Sequence, residues 1–223
     1  MKFYVSNLNP WAPGVVTKDE WQQWKNGSLE IQREKLSPKI EFTDPLFRRR
    51  FSQITKMTVQ VVHDLMEDEP LARDAKILFT SFRGELEREF AIDRMLIEDK
   101  MILPAAFSLS VFNTPIAAAT IAMGLKKGYS VIYPSKGNFS DALMAGAASV
   151  LCGDEKEIVF VYADEKIPDD YEKVIEGNAE LQESTPLAFA CILSSTKKEN
   201  SVEFDTECTV SSVTGFMKKA LVF

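Results

Sequence analysis

Histidine occurs once in the 223 residues, at position 63, and that scarcity limits the chemistry more than any motif does. A catalytic histidine pair is excluded, and so is a zinc site built on two histidines. Cysteine is scarce too. Cys152, Cys191 and Cys208 form no C-x-x-C pair, and their odd number and wide spacing argue against a metal site and a disulfide framework. No run of about 18 apolar residues is present, so no membrane-spanning helix is expected. Met1 to Val5 lacks a long apolar core with a small-residue cleavage site, which predicts no signal peptide and a cytoplasmic protein. A phosphate loop, a G-x-G-x-x-G turn and a G-x-S-x-G elbow are all missing, and no cofactor is expected. The net charge of −7 argues against nucleic acid and anionic membrane as partners, because a phosphate surface requires a basic face.

What the sequence does contain is an alternation of helices with short apolar strands, without repeats, which predicts an α/β layered fold. Length predicts a single domain over 1–223. Residues 3–8 read as a strand ended by Asn9-Pro10. The stretch from Trp11 to Pro45 reads as an irregular cover with a short helix over 18–25. Phe51, Ile54, Thr58, Val61, Val62 and Leu65 recur at helical spacing, and Pro70 closes that helix. Ile77 to Thr80 reads as a buried strand, followed after Gly84 by a second amphipathic helix. Phe107 to Val111 alternates and reads as extended. Thr114 and Pro115 then resemble an N-cap and first helical residue, opening an alanine-rich helix that stops at Gly128. A strand over 129–133 follows, then a helix capped by Asn138 and ended at Gly153. Ile158 to Ala163 and Leu187 to Leu193 read as buried strands, and 197–212 as exposed hairpin or loop.

Each chemically suggestive residue has a structural explanation beside the functional one. Cys152 sits at a helix C-terminus, where the dipole disfavours a thiolate, and reads as structural. Cys191 lies in an apolar strand and Cys208 in a polar tail. His63 reads as a boundary residue of the first long helix, beside Asp64. Ser194-Ser195-Thr196-Lys197 fits S-x-x-K, but it leads into a turn and its partner motifs S-D-N and K-T-G are absent. Asp164 and Glu165 end a strand where α/β sheets place their sites, yet they read more simply as solvated acids that stop the strand from lengthening. Arg48, Arg49 and Arg50 either contact an acidic partner or flank a helix start.

The order of segments carries a resemblance. Pro45-Leu46-Phe47-Arg48-Arg49-Arg50-Phe51-Ser52 precedes a long helix, and a strand leads to Ser81-Phe82-Arg83-Gly84-Glu85-Leu86. The most specific piece, Pro104-Ala105-Ala106-Phe107-Ser108-Leu109-Ser110-Val111-Phe112-Asn113, comes next. Ala145 to Gly153 then runs into Ile158-Val159-Phe160-Val161-Tyr162-Ala163-Asp164-Glu165. Over roughly 45–165 this resembles beta-ketoacyl synthase-like proteins that match only the N-terminal half of a condensing enzyme, known from aryl polyene and related fatty-acid-like pathways. Relatives often carry His-Asn where this chain has Phe112-Asn113. The resemblance implies a thiolase-like half-fold, a mixed sheet covered by helices, with residues 1–165 the ketosynthase-like region and 166–223 an extension of the same domain. It places the nucleophile's slot at Ser135, Lys136 or Gly137, none of them cysteine, and assigns the catalytic histidines to a second half that is not in this sequence.

The implied role is that of a chain-length factor: a non-catalytic subunit paired with an active beta-ketoacyl synthase, and through it indirectly with acyl carrier protein. Phe107, Phe112, Asn113, Ile116 and Ala119 are then expected at the acyl tunnel and interface. The alternatives are a homodimeric acyl- or lipid-binding module, and an acyltransferase-type enzyme using a non-family nucleophile.

Overall fold

A computed structural model describes residues 1–134, 138–171, 185–207 and 210–222. Six strands form one mixed sheet: β1 (Lys2–Trp11), β2 (Lys76–Thr80), β3 (Tyr129–Ile132), β4 (Glu157–Asp164), β5 (Leu187–Ser194) and β6 (Val202–Asp205). Their spatial order is β3-β2-β4-β5-β1-β6. β2 runs parallel to both β3 and β4, whereas β5 is antiparallel to β4 and β1, and β6 antiparallel to β1. The helices are α1 (Lys18–Lys25), α2 (Pro45–Arg48), α3 (Gln53–Asp68), α4 (Leu86–Glu98), α5 (Pro104–Phe107), α6 (Thr114–Met123), α7 (Phe139–Leu151) and α8 (Val213–Ala220).

Strand periodicity divides the core into two unlike layers. On β4 and β5, Ile158, Phe160, Tyr162, Phe189, Cys191 and Leu193 point to one face, with Phe139, Phe216, Trp21 and Trp24 packed over them. Val159, Val161, Ala163, Ala188 and Ala190 point to the other, beneath Ile54, Met57, Val61 and Leu65 of α3. Small residues on that face let α3 lie close to the sheet, with Ile116 and Ala119 of α6 beside it. α7 approaches the aromatic face through Gly146, where an added Cβ would lie 2.9 Å from Leu193 Cδ1. Side-chain caps start α3 and α7: Ser52 Oγ accepts from Thr55 N–H, and Asn138 Oδ1 from Ser140 N–H.

Four expectations are corrected. β1 continues through Asn9-Pro10 to Trp11, with a register shift between Ser6 and Asn9. Pro10 lies beyond Lys2–Val5, the stretch paired to β6, where a missing N–H is tolerated. Phe107 to Val111 is not extended, because Pro104 opens the short helix α5 and turns follow it. α6 starts one residue earlier than expected, with Asn113 at the cap position. It ends at Gly124 rather than Gly128, the first glycine along the chain taking the left-handed cap (φ 65°). The stretch 197–212 holds β6, which crosses to β1 instead of forming a hairpin with β5.

The sequence pattern does not predict α8, yet Phe216 is fully buried, stacking on Phe189 with centroids 5.2 Å apart and lying tilted against Phe204 at 5.3 Å. The Phe216→Ala variant is expected to lose about 3–5 kcal/mol of stability through the cavity it leaves, read as a lowered urea midpoint.

Candidate functional site

The scarce nucleophiles are not brought together. Cys152 is exposed at the end of α7. Cys191 is buried in β5, and burial pushes its thiol far above the ordinary range. His63 stacks on Phe42 at 3.7 Å between centroids and approaches Asp64 Oδ1 at 3.2 Å. Cys208 and the expected slot, Ser135, Lys136 and Gly137, lie outside the described residues.

The most constrained chemistry instead gathers where β2 and β4 end. Asp164 and Glu165, expected as solvated acids, are buried, and so is Glu85. Asp164 fastens the turn after β2. Its Oδ1 accepts from Ser81 Oγ (2.7 Å) and Arg83 N (3.1 Å), and its Oδ2 from Phe82 N (3.0 Å) and Tyr162 Oη (2.7 Å). Glu165 spans two helix N-termini, accepting Ile54 N–H of α3 at Oε2 (3.2 Å) and Glu87 N–H of α4 at Oε1 (3.1 Å). A carboxylate there satisfies donors that have no partner within their own helices. Glu85 accepts hydroxyls from Ser52 (2.7 Å) and Thr55 (2.5 Å) and pairs with Arg88 Nε (3.1 Å).

Burial raises the Asp164 carboxyl above its usual range, while Arg83, Tyr162, Ser81 and the Phe82 N–H pull it back. Glu165 is pushed up to about 8, by burial first and then by Glu85. One signal in the sequence pointed this way. Two acids follow an all-apolar strand, and a strand end near helix N-termini can supply backbone donors to buried carboxyls.

The other feature is an apolar surface. Ile97, Met101, Leu103, Phe107, Val111, Ile121 and Tyr133 are all exposed, and all belong to the stretch from α4 to just past β3. Phe107 stands free of the core at 59% exposure, whereas Ile116 and Ala119 are fully buried within it. Phe112 is half-buried, its ring 6.5 Å from Phe79 and 5.6 Å from Tyr133. It packs over Gly84, whose left-handed backbone (φ 60°) leaves no room for a Cβ, which would lie 2.6 Å from the Phe112 ring. Asn113 Nδ2 donates to Tyr129 Oη at 2.9 Å. β3 is an edge strand, paired to β2 alone among the described residues, so its outer backbone groups are open to another chain. Arg48 donates to the Ile40 and Thr43 carbonyls, while Arg49 and Arg50 are exposed. No described helix is long and apolar enough to cross a membrane, and no group of His, Cys, Asp and Glu among the described residues is arranged to hold a metal ion.

The family described as beta-ketoacyl synthase, N-terminal domain, matches residues 21–220. The chain belongs to that family. The match extends on both sides of the 45–165 stretch that carries the sequence resemblance. No curated protein sequence matches the chain. Among solved structures, a ketosynthase in complex with its chain length factor from Xenorhabdus doucetiae is similar, with a TM-score of 0.75 and 23% identity over 88% of this chain and 80% of that one. The ishigamide ketosynthase/chain length factor gives a TM-score of 0.67 at 10% identity, covering 91% of this chain and 64% of that one. A beta-ketoacyl synthase from Burkholderia phymatum STM815 gives 0.63 at 12% identity, covering 87% and 59%. The chain thus spans under two thirds of the latter two. At these identities the likeness establishes the fold, the thiolase-like N-terminal half of a ketosynthase with a mixed six-stranded sheet.

The four donors on Asp164 require an acceptor at both oxygens. Asp164→Asn turns an amide NH₂ toward one pair of them and is expected to lower stability by about 2–4 kcal/mol, measured by urea unfolding followed through tryptophan fluorescence.

Proposed function

We propose that this chain is a non-catalytic, chain-length-factor-like subunit that pairs with an active beta-ketoacyl synthase in fatty-acid-like or polyene biosynthesis. The observation that carries the reading is that Ile97, Met101, Leu103, Phe107, Val111, Ile121 and Tyr133 are exposed while β3 has an open edge among the described residues. Exposed large apolar side chains and an unpaired strand edge are what a partner chain covers, by hydrophobic area and by main-chain hydrogen bonds. Two further facts support it. Among the described residues no cysteine lies beside a histidine, and the structurally similar proteins include a ketosynthase held by its chain length factor. The partner then supplies the nucleophile and its activating groups, and acyl carrier protein is engaged through the pair. Phe107, exposed at the end of α5, is assigned to the partner contact, together with Phe112 and Asn113 at the entrance to α6, while Ile116 and Ala119 hold α6 in the core. Arg49 and Arg50 are free to meet an acidic partner.

Co-expression with a ketosynthase from the same genome is expected to give one complex on size-exclusion chromatography. Phe107→Asp and Ile121→Asp are expected to abolish it while leaving the thermal midpoint of the isolated chain nearly unchanged, because both side chains are exposed. Failure to form any complex with wild-type chain sinks the proposal; so does an acyl adduct found by mass spectrometry after incubating the chain alone with acyl-carrier thioesters. Native mass spectrometry distinguishes a homodimer, which would assign the same surface to a second copy.

A further inference from the structure

We propose that the cavity between the second half of β1 and the C-terminal end of α3 binds a free basic amino acid, its cationic end on the carboxylates of α3 and its carboxylate on Lys18 and Trp21. The site does not rest on the docking reading above, because β1 and β3 stand towards opposite edges of the sheet.

The cavity exists because β1 outlasts its neighbour. β6 pairs with Lys2–Val5, so from Ser6 to Trp11 the strand meets β5 alone among the described residues. Another strand is poorly suited to that edge. The register shifts between Ser6 and Asn9, Asn7 takes the left-handed region (φ 52°), and Pro10 has no N–H to offer. Beside it opens a cavity of 480 Å³, within the roughly 300–1,000 Å³ typical of small-molecule sites. α1, the end of α3 and the chain after α8 complete its walls.

Two independent features define the ligand. One is charge. Asp64, Glu67 and Asp68 line the cavity from the end of α3, whose last turn holds no basic residue. Three carboxylates thus stand where the helix dipole is already negative, an arrangement that a cation relieves. Glu67 reaches Arg73 (3.3 Å) and Asp64 accepts from the Gln60 amide (2.8 Å), whereas Asp68 pairs with no cation among the described residues. The described carboxyls are not grouped to hold a metal ion, which favours an extended organic cation.

The other feature is an unmet donor. Trp21 lines the cavity at 2% exposure, and its Nε1–H has no acceptor among the described residues. A buried N–H without an acceptor is unfavourable, so an acceptor on the ligand has a defined place. Lys18, three residues earlier on the same face of α1, lines the cavity too and brings the positive charge that suits a carboxylate. A ligand that answers both features carries a cation at one end and a carboxylate at the other. Leu8, Pro10, Val16 and Leu221 add apolar wall for the aliphatic stem that joins them. Arginine and lysine have this make-up. A diamine lacks the carboxylate, and an acidic amino acid is repelled by α3.

Isothermal titration calorimetry of the isolated chain with L-arginine and L-lysine tests the site. At least one is expected to bind one-to-one with a dissociation constant no weaker than about 1 mM, and agmatine and L-glutamate on the order of tenfold more weakly. Asp68→Asn and Lys18→Met change exposed side chains and are each expected to weaken binding of the amino acid on the order of tenfold, with the thermal midpoint nearly unchanged. Trp21→Phe keeps a ring and removes the donor, so it is expected to lower affinity for the amino acid but not for agmatine. No saturable binding of either amino acid up to about 10 mM, equal affinity for agmatine, or full affinity in Asp68→Asn or Lys18→Met overturns the proposal. Should Trp21→Phe not fold, the two surface variants and the agmatine comparison decide.

Discussion

Three carboxyls are buried where β2 and β4 end, and donors from the turn after β2 and from the starts of α3 and α4 hold each of them there. Asp164 gathers the N–H groups of the turn after β2, and Glu165 gathers those of the first turns of α3 and α4. Burying a carboxyl is unfavourable unless its oxygens are filled, and a buried helix start is unfavourable unless its N–H groups are met. Each need answers the other. The ends of β2 and β4 and the first turns of α3 and α4 meet at that place.

The two faces of the sheet impose complementary packing. Alanines and valines on one face bring α3 in close, and aromatic rings on the other are closed over by α7 and α8. Phe139, Phe160, Phe189, Phe204 and Phe216 form a continuous cluster of buried rings. Several of the large apolar residues left exposed, Ile97, Met101, Leu103, Phe107, Val111 and Ile121 among them, lie between α4 and β3.

Much of this was legible along the chain. The helical stripe of α3, the Asn138 cap of α7 and the apolar runs of β4 and β5 each follow from local periodicity and capping, and each stands where the pattern placed it. The family resemblance rested on the order of such pieces, so it shared their strength. Pro10 inside β1 and the return of β6 to β1 depend on which strands are neighbours, and local pattern carries no record of that, whereas the turn at Phe107 to Val111 follows from Pro104 opening α5. α8 carries its apolar residues, Val213, Phe216, Met217 and Ala220, at helical spacing, but eight residues give little more than two turns of pattern.

By itself the sequence determined that no two histidines of this chain can act together, since it has one. It also determined the layered α/β class, because periods of 2 and 3.6 are local properties. Only the tertiary structure decided the fate of Asp164 and Glu165. A carboxyl at a strand end is solvated or buried according to whether helix N-termini from elsewhere in the chain arrive to hold it, and here α3 and α4 do.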